Sequence, residues 1–436
     1  MERVWLGVPS VTPPTSVNQL DSERDDPMSR GQRRRRSIGW PSGNESVDLR
    51  GSRNVSDGRN GGATRRDVLY LAVVPWYRAE CIDVLLSSSD RDAVIYAADY
   101  GLDRTVRTGI DGSLYHRVWR RSLLRGRILV TGVPWAAFSA DACIIDLNPR
   151  SLSAWFVLVA RRLLGRRVVV WGHLYPRAGE QSRTAMLRRS MRKLANGAVL
   201  YDYASQDKAR TDIPGQPVWT APNALYKSAA IVPTDTGVNR RDLIYVGRLV
   251  DEKKVDQLVP AFEESKLWSE GYRLRIIGDG SAAELIDKQI EMLPTEVSSA
   301  ISRGGVITDT AELEREYSAA ICSLSPGYVG LSATQSLGFG VPMIYSVDEP
   351  HAPEIELAAT GAMYGYTEST SSGLAAAMVD AVQKLESAST CVFTDISSVI
   401  ARHYSAETMA EGLIAALDGG GSELRGAALS TVEVFG

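Results

Sequence analysis

The sequence predicts an α/β protein made of two Rossmann-like halves, each on a parallel sheet. Three observations predict it. Short apolar, β-branched runs alternate with stretches of helical period from Asp67 to Tyr201, and the alternation restarts at Asp242. A polar stretch, Pro214–Pro233, contains a Pro222-Asn223 turn and reads as the interdomain linker. A third stretch, Ser325–Ile344, reads as a glycine-bearing loop, a short helix and a buried strand. A loop entering a helix N-terminus presents free N–H groups and the positive end of a dipole, which suits an anion such as phosphate. An ordinary strand–loop–helix joint of an α/β domain has the same pattern.

Taken in order, residues 1–65 are rich in Ser, Arg, Asp, Gly and Pro and read as a disordered extension. Its Arg33–Arg36 run reads as a solvated tail or as a contact for nucleic acid or anionic lipid. Residues 66–230 form the first domain. Val68–Val74 is a buried strand, Pro75–Arg78 its loop and Ala79–Leu86 a helix. Ala93–Ala97, Arg127–Val130 and Ala142–Asp146 are further strands. Ser151 can cap a helix reaching Leu164, in which apolar residues recur at helical spacing. Arg167–Trp171 is a strand ending at Gly172-His173, Arg183–Ala195 a basic helix and Ala198–Tyr201 a strand.

Residues 238–395 form the second domain. Its expected strands are Asp242–Val246, Tyr272–Ile277, Val306–Thr308, Ala320–Ser323 and Val341–Tyr345. Helices Val255–Ser265, Ser281–Met292, Ala311–Ala319 and Ser332–Leu337 lie between them, the last ended by Gly338 and Gly340. Helix Ser372–Leu385 follows, and residues 396–436 form a C-terminal helical segment, about Ala406–Leu417, and a tail.

Charge is unevenly spread along the 436 residues, whose net is −3. Residues 66–225 carry 23 basic and 14 acidic side chains, a net of +9, whereas residues 226–436 carry 15 and 30, a net of −15. The basic faces Arg117–Arg127 and Arg183–Lys193 suit an anionic partner, a lipid phosphate or a membrane surface, or are solvated helix faces. The four cysteines stand far apart with no C-x-x-C pair, which fits a reducing compartment and argues against a cysteine zinc site. No H-E-x-x-H or other metal-ligand cluster is present, so no metal and no cofactor is expected. The apolar runs are too short to span a bilayer, and the N-terminus lacks the order of a signal peptide. The expected location is cytoplasmic, including a peripheral position on the inner face of the cell membrane.

The loop Gly247–Lys253 follows a strand and precedes a helix. It sets Arg248 and Lys253 at a strand's carboxyl end, where α/β sheets bind ligands. Two cations there can neutralise a diphosphate, with the Arg forking onto two oxygens. Gly278-Asp279-Gly280 stands at the end of the next strand. Together, Tyr-Val-Gly-Arg-Leu (245–249) with Glu252-Lys253, Ile-Ile-Gly-Asp-Gly (276–280), and Gly330-Leu331 with Gly340-Val341-Pro342 resemble the C-terminal domain of retaining glycosyltransferases of family four, of GT-B architecture. Trp171-Gly172-His173 and Ala221-Pro222-Asn223 support the resemblance in the first domain.

The resemblance implies two facing Rossmann-like domains, a nucleotide-sugar donor held mainly by the second, and a glycan or lipid-linked acceptor taken by the first, in cell-surface polysaccharide or glycolipid synthesis. It implies that Arg248 and Lys253 bind the donor diphosphate and act in catalysis, that the backbone of Gly330 and Leu331 holds phosphate, and that Gly247, Gly278, Asp279 and Tyr328 line the donor. The family's two Glu positions, counted back from Gly340-Val341-Pro342, hold Gly327 and Gln335 here. Gln335 can hydrogen-bond ribose hydroxyls, whereas Gly327 offers no side chain to the sugar. His173 is expected to face the cleft as a donor or acceptor contact or proton shuttle, and Arg78 to face the acceptor or the phosphates. Three other readings stand beside this one. A weakly active nucleotide-sugar-binding or scaffold protein is suggested by Gly327 and Gln335. A nucleic-acid-binding protein is suggested by the basic segments, although no aromatic-basic interleaving accompanies them. A dinucleotide oxidoreductase lacks the G-x-G-x-x-G expected after the first strand.

Overall fold

A computed structural model describes residues 65–421 apart from 90, 103–105, 177–178, 235–238 and 389–390. The Arg33–Arg36 run, nearly all of the expected disordered extension and the end of the C-terminal tail lie outside the described residues. Both predicted Rossmann-like halves are present, within one unit, Gly62–Gly436.

The first half is a seven-stranded parallel sheet. In chain order its strands are β1 (Arg65–Leu71), β2 (Arg91–Ala97), β3 (His116–Arg117), β6 (Ala142–Asp146), β7 (Arg167–Trp171), β8 (Gly197–Leu200) and β9 (Val218–Thr220), arranged β3-β2-β1-β6-β7-β8-β9. Two further strands, β4 (Arg120–Leu123) and β5 (Ile128–Thr131), make a separate antiparallel hairpin. The second half is a six-stranded parallel sheet of β10 (Asp242–Val246), β11 (Arg273–Ile277), β12 (Ile301–Gly304), β13 (Ala320–Ser325), β14 (Met343–Ser346) and β15 (Met363–Tyr366), arranged β12-β11-β10-β13-β14-β15.

The continuous apolar runs follow from coverage on both faces. On β7, Val168 and Val170 enter one core while Val169 and Trp171 enter the core on the opposite face. On β10, Leu243 and Tyr245 point one way and Ile244 the other. A strand buried on both sides cannot alternate apolar with polar residues.

The end of the chain ties the halves together. Helix Cys391–His403 packs Val392, Ile396, Val399 and Ile400 into the second core. Helix Ala406–Asp418 then returns to the first, with Ala406, Met409, Ala410, Leu413 and Leu417 on one buried stripe. Its end is held by Asp418, which accepts from Arg65 and Arg91 at 3.2 Å, while Arg91 also pairs with buried Asp67 at 2.9 Å. The expected division at residue 396 falls inside helix Cys391–His403, because the apolar stripe of that helix belongs wholly to the second core.

Four local expectations are corrected. The linker begins later than Pro214, since Val218–Thr220 is the edge strand β9. The strand expected at Val306–Thr308 lies at Ile301–Gly304, an edge position whose outer side tolerates Ser302 and Arg303. The strand near Arg127–Val130 belongs to the antiparallel hairpin rather than to the parallel sheet. Gly338 is the last residue of helix Leu331–Gly338, and Gly340, at φ +78°, makes the left-handed turn.

The carboxyl ends of the two sheets face each other. The chain leaving β8 meets the chain leaving β14, where the main-chain nitrogens of Tyr203 and Ala204 donate to Glu356 at 3.1 and 2.8 Å. Asn223, just past β9, donates from Nδ2 to buried Glu354 at 3.0 Å.

Candidate functional site

In the second sheet the strand order reverses between β10 and β13, and the loops leaving their carboxyl ends define a crevice. The loop after β10 carries Gly247, Arg248 and Lys253. The loop after β13 carries Gly327, Tyr328 and Gly330 and runs into helix Leu331–Gly338. The two loops touch along their backbones. Tyr328 N donates to Glu252 O at 3.0 Å, and Lys253 Nζ donates to Tyr328 O at 2.5 Å while lying 4.9 Å from the centre of the Tyr328 ring. A Cβ on Gly327 would lie 2.6 Å from Glu252 O, so this close approach requires glycine.

Arg248 stands at the mouth of the crevice, with its side chain 68% exposed and donating to Glu252 Oε1 at 2.6 Å. The helix behind has no side-chain cap at Gly330, and its Ala333 N–H bonds the Gly330 carbonyl at 2.9 Å. An exposed guanidinium, a nearby ammonium and an uncapped helix N-terminus are groups whose chemistry suits an anion.

Residues absent from the sequence-based expectations hold this site. Both ring nitrogens of His351 are engaged: Nδ1 accepts from Val329 N at 3.1 Å, and Nε2 bonds Ser346 O at 2.8 Å. That pattern fixes a neutral ring, and burial pushes its pKa below the usual histidine value. Lys254, in the left-handed region at φ +48°, pairs with Glu349 and donates to Ser369 Oγ at 2.8 Å.

Gly278, Asp279 and Gly280 lie beside the crevice and brace it. Gly278 has φ +140°, and a Cβ there would collide with the Gly247 carbonyl oxygen. Leu249 N donates to Asp279 O at 2.9 Å, and Asp279 Oδ1 accepts from Gly280 N at 2.8 Å. The close approach of the two loops therefore requires glycine at 278. Gln335, expected at a ribose, donates from Nε2 to Tyr226 OH at 2.9 Å, on the side of the chain that connects the halves.

At the carboxyl end of the first sheet, Arg78 is buried rather than turned outward to an acceptor. Its guanidinium lies 4.1 Å from the Trp171 ring centre and 5.1 Å from that of Tyr201, and Nη2 donates to Tyr201 OH at 2.8 Å. The low polarity that favours this stack also pushes the Asp146 carboxyl up to about 6. His173, exposed after β7, sets its ring edge-on to Tyr201 at 4.7 Å. The structure thus gathers Gly247, Arg248, Lys253, Gly327, Tyr328, Gly330 and Leu331 at one crevice. It places His173 and Arg78 together on the other sheet, with only His173 exposed.

This arrangement is a GT-B fold. Residues 240–384, the second sheet and its helices, match the family model of glycosyl transferases group 1. Solved structures share the whole architecture at low identity. Anabaena HepE in complex with UDP is 12% identical, with a TM-score of 0.58, over 81% of this chain and 100% of that chain. The lipopolysaccharide outer core galactosyltransferase WaaB is 14% identical, with a TM-score of 0.57, over 81% and 99%. Sucrose-phosphate synthase from Thermosynechococcus elongatus is 14% identical, with a TM-score of 0.52, over 80% and 97%. No curated protein sequence matches this chain. Among the described residues no group of three or more His, Cys, Asp or Glu is placed to hold a metal ion, and no helix is long and apolar enough to cross a membrane.

Proposed function

We propose that this chain is a glycosyltransferase that moves a hexosyl group from a nucleotide-sugar donor, held by the second half, to a hydroxyl of a glycan or lipid-phosphate acceptor at the first half. The observation that carries the reading is the crevice between β10 and β13. There, exposed Arg248, Lys253 and an uncapped helix N-terminus converge. As the bond from the anomeric carbon to the diphosphate breaks, negative charge grows on the leaving oxygen. Preorganised cations and N–H dipoles stabilise that charge more than the ground state, which is the requirement for lowering the barrier. The reading gives that charge to these groups and includes no metal and no cofactor. The match of residues 240–384 to glycosyl transferases group 1 and the UDP and UDP-glucose complexes of the HepE neighbour support a nucleotide donor. Retention of configuration, a role in cell-surface polysaccharide or glycolipid synthesis and a position beside the inner face of the membrane complete the reading. His173 is assigned to the acceptor side, and Arg78 positions it through Tyr201.

The test is thermal unfolding of the full chain against UDP, other nucleoside diphosphates and their sugars. A ligand at a hundred times its Kd stabilises by about 2.7 kcal/mol. One nucleotide series is expected to raise the melting temperature of the wild type and not of Arg248→Ala. If no nucleotide stabilises the wild type, the reading fails. The absence of a side chain at Gly327 favours a second reading, a weakly active nucleotide-sugar binder; stabilisation without turnover of any donor would select it.

A further inference from the structure

The first half carries an exposed apolar face that the proposed chemistry does not use. Helix Leu152–Leu163 buries Ala154, Val157, Leu158 and Arg161 against the sheet. Its opposite side shows Leu152, Phe156, Val159 and Leu163 to solvent at spacings of four, three and four, with Phe156 60% and Leu163 83% exposed. A soluble helix ordinarily places charge on that stripe. The patch extends on both sides. Phe138 joins Phe156 to the 79%-exposed Trp135, with ring centres 5.6 and 6.1 Å apart. The β4–β5 hairpin packs beside the same helix, with Leu129 N donating to Arg150 O at 2.8 Å, and presents Leu124 at its tip. The neighbouring helix Arg183–Leu194 adds exposed Met186.

The charge around this patch is predominantly basic. Residues 112–176 and 179–201 contain 15 Arg and Lys against three acidic residues, Asp141, Asp146 and Glu180. Some are structural: Arg161 is buried against main-chain carbonyls, and Arg192 pairs with Asp212 at 2.9 Å. Arg121, Arg125, Arg127, Arg162, Arg183 and Lys193 remain exposed at the rim.

We infer that this face docks on the surface of an anionic lipid bilayer. The apolar stripe and the Trp135 and Leu124 side chains enter the headgroup–acyl boundary, and the rim arginines lie among the lipid phosphates. Apolar insertion and basic attraction act together at such interfaces, and neither alone gives firm attachment. Charge complementarity selects this occupant, because a second copy of the chain would set arginine against arginine. Leu152 follows the carboxyl end of β6, so the stripe begins at the edge of the sheet where the cleft lies. Delivery of a lipid-linked acceptor to that cleft rests on the proposed function; docking itself does not.

The full chain is to be sedimented with vesicles of phosphatidylcholine alone and of phosphatidylcholine mixed with phosphatidylglycerol. Binding is expected only to the mixed vesicles, and it is expected to weaken with salt. Phe156→Ser/Leu163→Ser is expected to reduce the partition by roughly tenfold per residue, and Arg125→Glu/Arg127→Glu by roughly fivefold per charge removed. Both variants should keep the wild-type melting temperature and its response to nucleotide, which separates loss of docking from failure of the glycosyltransferase reading. The inference is overturned if the wild type ignores anionic vesicles or if the apolar variant binds as the wild type does. It is equally overturned if the wild type is a dimer that the apolar substitutions make monomeric.

Discussion

The two halves repeat one topology and treat the same crevice in opposite ways. In the first, strand order reverses between β1 and β6. Asp146 at the end of β6 accepts from Ala72 N just past β1, and Arg78 closes the space by stacking on Trp171 and Tyr201. In the second, the corresponding loops meet through glycine and main chain, and Arg248 stays in solvent. Sheet topology therefore supplies a crevice at the point of strand reversal in both halves. Whether an anion can use it depends on whether the cation there is covered by aromatic rings or left at the mouth. The surfaces differ in the same sense: exposed apolar and basic side chains gather on the first half, and the second is acidic.

The largest expected effect separates the two arginines. Arg248→Ala and Lys253→Ala should each lower kcat/KM by about 10²–10³, the usual loss for a group that stabilises developing charge, with little change in melting temperature. Arg78→Met should act on stability instead. It leaves the buried Tyr201 hydroxyl without its donor and removes the cation from the Trp171 face, a loss of about 2–3 kcal/mol. Nucleotide binding should survive in Arg78→Met. If it does not, the first crevice takes part in donor binding and the contrast between the halves is wrong.

A second test asks whether backbone contact shapes the open crevice. Gly278→Ala places a Cβ against the Gly247 carbonyl at φ +140°, and Gly327→Glu places one against Glu252 O and Lys253. Each is expected to cost about 2–4 kcal/mol in denaturant unfolding, because loop main chain must move. Gly327→Glu should therefore not gain activity. A stable, more active Gly327→Glu would show that the loops part easily and that this position is free to carry a carboxylate.

Much of the second half was legible in the sequence because its signals are local. A strand, a glycine loop and two cations within seven residues identify the crevice at Gly247–Lys253, and the loop at 325–331 carries its own glycines. The residues that were missed act across distance. Glu354 meets Asn223 across 131 positions and Glu356 meets Tyr203 across 153, and no periodicity encodes such pairs. A faint signal existed: His351, Glu354 and Glu356 follow the end of β14 closely, where polar residues at a strand's carboxyl end are candidates for a site. Arg78 was misplaced for the reverse reason. An arginine in a loop reads as exposed, and only the tertiary meeting of Trp171 and Tyr201 makes a stack that buries it.

The smallest expected effect concerns how the halves are held together, and it depends on pH. Burial pushes the Glu356 carboxyl up to about 7 and Asp146 to about 6, and raises Glu354 and Asp202 as well. For each, the folded state binds a proton more tightly than the unfolded chain does. The resulting stability is complete below the unfolded carboxyl range and is lost as pH rises through the folded values. Lowering pH from about 8 to about 6 should therefore raise the melting temperature by a few °C, on the order expected for one or two kcal/mol in a chain of this size. Glu356 joins the halves by accepting from Tyr203 N, Ala204 N and Tyr404 OH. Glu356→Gln keeps an acceptor there but cannot titrate, so its melting temperature should vary less between these two pH values. An equal slope in wild type and Glu356→Gln would assign the proton uptake to the other raised carboxyls, Asp146, Glu354 and Asp202, and not to Glu356.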